Sequence, residues 1–295
     1  MVRKNTYTFS DIIIYSSLFF GVFLVIWPLL NLLAWALTPT NNIHLLDGLD
    51  ILPKGLDFDV FKLMLSNPRV LISFTNSIYI TSAGLCLNIF FTSIAAYALS
   101  KSYLPGRNII LTIIIFTMVF EPSIVTEFLV VKKIGLFDSY WSIILYKMVN
   151  VYYLILMIRF FKELPVAYFE AAEIDGANHF QIFYYIVLPL SVPAMMVIGL
   201  FYTVAHWNEY FHAMIYLNDT SKWPLQVLLR EFAIVGDRGS MVSYQNILEW
   251  GDATQIDIRR MRATIIFITL FPILLLFPII LKYFTKGINL GGIKE

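Results

Sequence analysis

The sequence predicts an all-α integral membrane protein with six transmembrane helices. Its 295 residues are 59% hydrophobic and only 14% charged, and the mean hydropathy is +0.74. Soluble domains contain about 45–50% apolar residues, so this composition excludes an ordinary soluble protein. A helix needs roughly 20 apolar residues to cross a bilayer core of about 30 Å. Runs that meet this length lie at approximately 12–37, 71–99, 109–131, 140–161, 190–217 and 263–284.

The first apolar run begins like a secretion signal, because Arg3 and Lys4 stand before it. It is longer than the core of about 7–15 residues in a signal peptide, and no small-residue cleavage site follows it. We therefore interpret it as a retained first span. On this interpretation residues 1–70 comprise an N-terminal cytoplasmic stub, the first helix and an outer loop. Residues 71–284 then form a five-helix core, and residues 285–295 form a cytoplasmic tail.

An even number of spans places both termini on one side of the membrane, and the charges favour the cytoplasm. No lysine or arginine follows the first run until Lys54, which is typical of a cytoplasmic N-terminus. Basic residues at 132–133 and 259–262 would then lie at the outer face, against the same rule. The long connection 218–262 would also face outward. Its charges are interspersed with Trp223 and Trp250, which favours an ordered surface that meets a partner.

Several classes of chemistry find no support in the sequence. The net charge of +1 and the absence of a dense basic patch argue against nucleic-acid binding. The single Cys86 permits no internal disulfide. The sequence contains no GxxxxGK[ST] phosphate loop, no HExxH metal spacing and no GxSxG elbow. We therefore expect this chain to hold no metal and to hydrolyse no ATP itself.

The most informative segment is 163–193, a polar connection between the fourth and fifth runs. Pro165 suits the first turn of a helix, where its missing N–H loses no partner. Gly176 can adopt the left-handed conformation that ends such a helix. Asn178 and Gln181 have the spacing of a capping box that begins a second helix. The segment therefore predicts a short helix, a tight turn and a second helix.

Carboxylates crowd this segment at Glu163, Glu170, Glu173 and Asp175. Small side chains let another protein approach closely, and a carboxylate beside them can accept hydrogen bonds from an arginine of that protein. The alternative is an amphipathic helix lying on lipid, but anionic headgroups would repel so acidic a segment. We therefore expect a protein partner to dock here. Pro189 and Pro193 should kink the chain where it enters the fifth run.

The stretch Glu170-Ala-Ala-Glu-Ile-Asp-Gly-Ala177, followed by Ile186-Val-Leu-Pro189 and Pro193, resembles the EAA loop of ABC importer permeases. In that family the loop forms a coupling helix that sits in a cleft of the cytoplasmic ATPase. The resemblance implies that the ATPase-coupling positions are Glu170, Ala171, Ala172, Asp175, Gly176 and Ala177.

Further motifs are similar to carbohydrate-uptake permeases of the maltose-transporter type, and most of all to their LplC/YtcP-like subgroup. These motifs are Ala96-Tyr-Ala-Leu-Ser100 with Pro105-Gly-Arg107, Phe201-Tyr-Thr-Val-Ala-His-Trp-Asn208, Trp207-Asn-Glu-Tyr-Phe211, Trp223-Pro-Leu-Gln226 and the ending from Phe277-Pro278 to Gly291-Gly292. Glu121-Pro-Ser-Ile-Val125 departs from the family pattern, which has a Gly- or Pro-rich apolar stretch there.

The resemblance implies the type I ABC importer permease fold in a bacterial cell membrane, with both termini cytoplasmic. It implies a heterodimer with a second, homologous permease and two cytoplasmic ATPase subunits that bind ATP and Mg. An extracellular solute-binding protein would deliver an oligosaccharide to the 218–262 loop. This chain itself would bind no cofactor, and it would convert ATPase closure into alternating access of a sugar pathway.

Charged residues inside the apolar runs are candidates for that pathway, because a charge buried in lipid costs several kcal/mol. Glu127 and Lys147 lie at similar depth in adjacent runs, which predicts an ion pair between them. Glu121 beside Pro122 is the better candidate for a wall of the pathway.

The fifth run adds His206, Trp207, Asn208, Glu209, Tyr210 and His212. Aromatic faces, amides and carboxylates are the groups that hold sugars, and helical spacing would put His206, Glu209 and Tyr210 near one face. Contact with the partner permease or the binding protein remains the alternative for this group.

Three other functions remain open. A permease for a different solute, such as an amino acid or a polyamine, would share the acidic loop. A secondary transporter would show paired inverted repeats with broken helices, which the sequence does not reveal. An integral-membrane enzyme would need a catalytic motif, and the four histidines are scattered along the chain.

Overall fold

The computed structural model describes residues 9–235 and 257–291, and every regular element in those two ranges is helical. The all-α prediction is therefore confirmed for this part of the chain. The α-helices are α1 Phe9–Leu37, α2 Asp59–Ser66, α3 Pro68–Ser100, α4 Arg107–Val119, α5 Ile124–Lys133, α6 Trp141–Ile144, α7 Val151–Glu163, α8 Val166–Ile174, α9 His179–Ile182, α10 Leu188–Leu190, α11 Val192–Trp207, α12 Phe211–Tyr216, α13 Leu225–Val235 and α14 Ile258–Gly291. A π-helical turn, Phe183–Val187, joins α9 to α10.

Some predictions concern residues that lie outside these ranges. They are the basic stub before the first helix, the part of the outer loop at 236–256 that includes Trp250, and the end of the tail at 292–295.

Two helices in the described ranges, α1 and α3, are long and apolar enough to cross a membrane alone. Two further pairs pass the same test together but are sharply bent. The angle is 117° between α4 and α5, and 77° between the stretch His179–Leu190 and α11. The described residues thus contain two candidate spans, or up to four if each bent pair is one span. The count of six remains a prediction.

The span assignment predicts that the third run forms one continuous helix, and this prediction is wrong. The run breaks between α4 and α5, because Pro122 disfavours helical backbone at the preceding Glu121. Ser123 then begins α5 as its N-cap, with its Oγ accepting a hydrogen bond from the N–H of Thr126 at 3.4 Å.

The fourth and fifth runs are broken as well. Between α6 and α7, Lys147 adopts a positive φ of 49°, and Asn150 starts α7 by accepting hydrogen bonds from the N–H groups of Tyr152 and Tyr153. The fifth run is interrupted after α11, and the carboxylate of Glu209 accepts the backbone N–H of His212 at 2.9 Å as α12 begins.

The chain divides into two compact units, residues 1–71 with 229–271 and residues 72–228 with 272–295. In the first unit Arg260 is only 2% exposed, and its guanidinium lies 2.7 Å from a carboxylate oxygen of Asp57. Arg259 lies over the ring of Trp35 at 5.2 Å, and Arg69 pairs with Glu231 at 3.4 Å. Arg259 and Arg260, whose predicted position at the outer face disagrees with the charge rule, thus both contact other residues of this unit.

The second unit has a core contributed by α3, α7, α8, α9 and α11. Its buried members are Ala96, Leu99, Leu154, Met157, Ile158, Phe161, Ala172, Ile182, Phe183, Val187, Ile198 and Tyr202. A buried polar contact fastens three of these helices: the hydroxyl of Tyr202 on α11 lies 2.9 Å from Oγ1 of Thr92 on α3. The same hydroxyl accepts the N–H of Asn150, the N-cap of α7, at 3.0 Å.

Candidate functional site

The acidic segment folds as its sequence predicts. Helix α8 covers Val166–Ile174, and Gly176 takes the left-handed backbone with φ of 78°. Asn178 and Gln181 form both hydrogen bonds of the capping box, at 2.9 and 2.8 Å. Pro165 differs slightly, because it occupies the N-cap position rather than the first turn. These local signals were readable because each depends on residues only a few positions apart.

The six residues that the resemblance assigned to ATPase coupling divide between two roles. Glu170, Ala171, Asp175 and Gly176 are exposed on the outside of the segment. Ala172 is 8% exposed and belongs to the core cluster, and Ala177 is half-buried beside it. The helix is therefore anchored by its small residues, and its carboxylates face outward.

Two large apolar side chains on the same segment were missed by sequence reasoning. Ile174 is 86% exposed and Phe180 is 75% exposed. They flank the turn at Gly176, so the outward surface combines carboxylates with apolar groups. The sequence did not predict this exposure, because a helix of only nine residues has too few apolar positions to show which of its faces is buried.

The turn after α3 grips this segment through Lys101. Its Nζ lies 4.1 Å from the ring centroid of Phe169 on α8 and 5.0 Å from that of Tyr97 on α3. Burial lowers the pKa of the Lys101 ammonium, and the neighbouring carboxylate of Glu173 opposes that shift. Lys101 thus ties the acidic segment to the end of α3.

Charged side chains from the breaks in the third and fourth runs come together. Nζ of Lys147 lies 3.0 Å from Oε1 of Glu121, and both side chains are about half-exposed. The predicted pair of Glu127 with Lys147 is wrong. The reason is the bend at Pro122, which turns α5 away from the axis of α4 and so carries Glu127 elsewhere.

Glu127 instead faces the break in the fifth run. Its Oε2 lies 3.9 Å from Nε2 of His212, and Nδ1 of His212 lies 3.0 Å from Oε2 of Glu209. The ring of Tyr146, from the break in the fourth run, stacks against His212 with centroids 3.9 Å apart. We call Glu121, Glu127, Tyr146, Lys147, Glu209 and His212 the break cluster.

The predicted single face of His206, Glu209 and Tyr210 does not exist, because α11 ends at Trp207. His206 is buried, with its Nε2 3.1 Å from Nδ2 of Asn88 on α3. Its ring fills the space that Gly84 leaves open, where a Cβ would overlap it. His206 is therefore a packing residue of the α3–α11 contact.

Trp207 and Asn208 also have structural partners. Trp207 is 5% exposed and packs edge-on against Phe74, with centroids 6.1 Å apart. Oδ1 of Asn208 accepts a hydrogen bond from Nε2 of Gln226 at 3.1 Å, so two of the motifs that carried the resemblance touch each other. Tyr210, at 41% exposure, differs from Trp207 in presenting an exposed aromatic ring.

The connection after α12 is fastened to the one after α5. Oδ1 of Asp138 accepts the backbone N–H groups of Asn218 and Asp219, each at 3.0 Å, and Nζ of Lys222 lies 3.0 Å from its other oxygen. These contacts, led by the N–H of Asp219, lower the pKa of the Asp138 carboxyl. We call this arrangement the Asp138 clamp.

An apolar groove of about 1080 Å³ runs along α3 and α11, with Leu85, Ile89 and Met195 among its lining residues. A sugar needs many hydrogen-bonding partners, which this groove does not supply. No group of three metal-ligating side chains occurs within residues 9–235 and 257–291.

Comparison with known proteins gives a consistent result. A family model described as "Binding-protein-dependent transport system inner membrane component" matches residues 88–290. The chain is 36% identical over 286 residues to the polygalacturonan/rhamnogalacturonan transport system permease protein YtcP of Bacillus subtilis (strain 168), covering 96% of this chain and 98% of the relative. It is 39% identical over 247 residues to protein LplC of the same organism, covering 83% and 81%.

A solved structure resembles the fold closely. It is a bacterial ABC transporter involved in the import of the acidic polysaccharide alginate, with a TM-score of 0.82 and 29% sequence identity. The match covers 94% of this chain and 99% of that one.

Proposed function

The chain belongs to the family of binding-protein-dependent transport system inner membrane components, and we propose that it moves oligosaccharides through an ATP-driven importer. Members of this family are permeases of ABC importers, so the chain is a non-catalytic, multi-pass membrane subunit. The family excludes the membrane enzyme and the secondary transporter that the sequence left open.

The observation that carries the sugar assignment is the meeting of three broken helices at the break cluster. Irregular backbone at membrane depth is tolerated only where it is buried in protein or lines a water-filled cavity. Here the breaks carry carboxylates, an ammonium and phenol rings, which are groups that bind sugar hydroxyls and sugar C–H faces. Relatives whose names specify polygalacturonan, rhamnogalacturonan and alginate support the same substrate class.

Within this proposal the pathway residues Glu121, Glu209 and Tyr210 line the route, whereas the packing residues His206 and Trp207 support it. Asn208 holds the backbone at the break through its contact with Gln226. Glu121 is the carboxylate best placed to accept hydrogen bonds from sugar hydroxyls, because it lies at the interruption of a helix and its side chain is more than half-exposed. Glu209 lies at a second interruption, where it also accepts the backbone N–H of His212.

The exposed surface of α8 supports docking onto an ATPase. Four coupling positions face outward beside the apolar Ile174 and Phe180, and a mixed surface of this kind suits a protein partner. We propose that the functional unit contains a second homologous permease, two ATPase subunits that bind ATP and Mg, and an extracellular binding protein. We further propose six spans, with both termini in the cytoplasm and alternating access driven by ATPase closure.

The test is to purify the complex through a tag on this chain and to measure its ATPase activity with the binding protein and a panel of solutes. Stimulation by neutral or acidic oligosaccharides supports the proposal. Stimulation by an amino acid or a polyamine alone would contradict the proposed substrate class but would still support an ATP-driven importer. Recovery of the chain without any ATPase or second permease would contradict the coupling role.

A further inference from the structure

Lys101 holds together two helices that are far apart in the chain. Its Nζ lies 4.1 Å from the ring centroid of Phe169 on α8 and 5.0 Å from that of Tyr97 in the last turn of α3. An ammonium is attracted to an aromatic face within about 6 Å of the ring centroid. The ring of Tyr97 packs in turn against that of Phe183, with centroids 5.1 Å apart. One ammonium and three rings therefore connect α3, α8 and the π-helical turn.

The contact matters because the chain itself does not join α3 to the acidic segment. Helix α8 follows α7 and precedes α9, so a displacement of α8 acts directly on α3 only through side-chain contacts. Ala172 of α8 packs in the same buried cluster as Ala96 and Leu99 of α3, but apolar attraction has no preferred direction. The ammonium must stay over both ring faces to keep its attraction. It therefore opposes sliding of one helix along the other.

The opposite end of α3 is fastened as well. Nδ2 of Asn76 donates hydrogen bonds to the carbonyl oxygens of Ser221 at 2.8 Å and Trp223 at 3.1 Å, in the connection that follows α12. Helix α3 is continuous from Pro68 to Ser100, and at about 1.5 Å per residue its part from Asn76 to Ser100 is about 36 Å long. A single helix therefore connects the acidic segment with the connection after α12.

This inference rests on the proposed importer function, in which the ATPase docks on α8. We propose that Lys101 is a positioning residue for energy coupling: it holds Phe169 of α8 against the end of α3, so that a displacement of α8 by the ATPase also moves α3.

The first test compares uptake per ATP hydrolysed by the complete complex in proteoliposomes for the wild type and Lys101→Met. Methionine keeps a long apolar side chain but carries no charge. Uptake per ATP should fall by about fivefold or more, while the ATPase subunits are still recovered with the chain. Lys101→Arg should keep most of the ratio, because a guanidinium also stacks on aromatic faces. The control is Lys62→Met, which removes an exposed lysine of α2 and should leave the ratio as it is.

A substitution on α8 identifies the contact through which Lys101 acts. Phe169→Leu removes the ring and should lower uptake per ATP as Lys101→Met does. The double variant should be no worse than either single variant, because both changes remove the same contact. Effects that multiply in the double variant would show that the two side chains act independently, and would overturn the link.

A second readout needs no transported solute. Binding of a non-hydrolysable ATP analogue to the complex should change amide hydrogen exchange in α8 and in residues 97–104 of the wild type, but only in α8 of Lys101→Met. If α8 of the wild type does not respond, the docking part of the proposed function fails, and this inference fails with it. If residues 97–104 respond equally in both proteins, the inference is overturned while the importer stands. A lower melting temperature of Lys101→Met with unchanged uptake per ATP would likewise overturn it, because Lys101 would then serve packing only.

Discussion

The contact between Gly84 on α3 and His206 on α11 gives a prediction whose size the geometry determines. A Cβ built on Gly84 would overlap Nε2 of His206 and lie 2.7 Å from two ring carbons. The ring cannot swing away without loss, because it is 8% exposed and its Nε2 faces Asn88 at 3.1 Å. Overpacking costs about 1–3 kcal/mol, and loss of a net hydrogen bond costs about 0.5–1.5 kcal/mol more. Gly84→Ala should therefore destabilise the protein by about 2–4 kcal/mol.

The assay is thermal or denaturant unfolding of the purified complex, followed by a probe that reports this chain. Gly199→Ala is the matched control, because Gly199 lies on α11 and its new Cβ would meet Leu85 at 3.4 Å, an ordinary contact. The control should change stability by less than about 1 kcal/mol.

A second substitution checks the cause. His206→Ala removes the ring, so Gly84→Ala should cost little in that background, and the difference measures the collision directly. If Gly84→Ala destabilises no more than Gly199→Ala, or costs as much without the ring as with it, the close α3–α11 contact is wrong.

Three further substitutions probe the two functional surfaces and the Asp138 clamp. Glu170→Lys should leave the chain in the membrane but reduce ATPase co-purification and uptake by about tenfold or more, since it reverses an exposed charge that an arginine would meet. Asp59→Lys, at an exposed carboxylate on α2 outside the acidic segment, is its control, and survival of both activities in Glu170→Lys would reject the docking surface. Glu121→Gln should lower uptake by about tenfold without lowering recovery of the complex; loss of insertion or recovery would instead make Glu121 structural. The depressed pKa of Asp138 means that its contribution to stability is complete above its ordinary value of 3.8 and is lost as the pH falls below it. The melting temperature of the wild type should therefore converge on that of Asp138→Asn below about pH 4, and a constant gap down to pH 3 would show that the clamp does not depend on this carboxylate.

The parts of the structure that the sequence predicts well are local. The helix over Val166–Ile174, the left-handed Gly176 and the capping box of Asn178 with Gln181 each depend on residues within a few positions of one another. Steric rules and unsatisfied backbone groups act over that range. For the same reason the exposed acidic surface could be identified before the fold was known.

The kink that Pro189 and Pro193 predict is confirmed by the bend of 77° between the stretch His179–Leu190 and α11. The breaks inside the third, fourth and fifth runs were not predicted, because apolar composition indicates whether a segment is long enough to cross lipid and not whether its helix is continuous. Pro122 and Asn150 mark two of the breaks, but both residue types also occur within spans. The wrong ion-pair prediction has the same cause. Depth along a straight helix pairs Glu127 with Lys147, whereas in the bent structure Lys147 pairs with Glu121.

Contacts between residues distant in the chain also lay beyond sequence reasoning. Asp57 and Arg260 form an ion pair although some two hundred residues separate them in the chain. The ring of His206 packs against Gly84, and this contact exists only once α3 and α11 are packed together. A histidine in an apolar run reads equally well as a ligand or as a packing residue. The packing geometry decides between them for His206, because its buried ring fills the space beside Gly84.

The most direct test of the account is ATP-dependent uptake of a labelled oligosaccharide into proteoliposomes that contain the complete complex and its binding protein. The account predicts uptake that requires ATP, responds to oligosaccharides in preference to amino acids, and falls by about tenfold or more in Glu170→Lys. ATP-dependent accumulation of amino acids with no response to any oligosaccharide would contradict the substrate class, and uptake that is indifferent to Glu170→Lys would contradict the coupling surface.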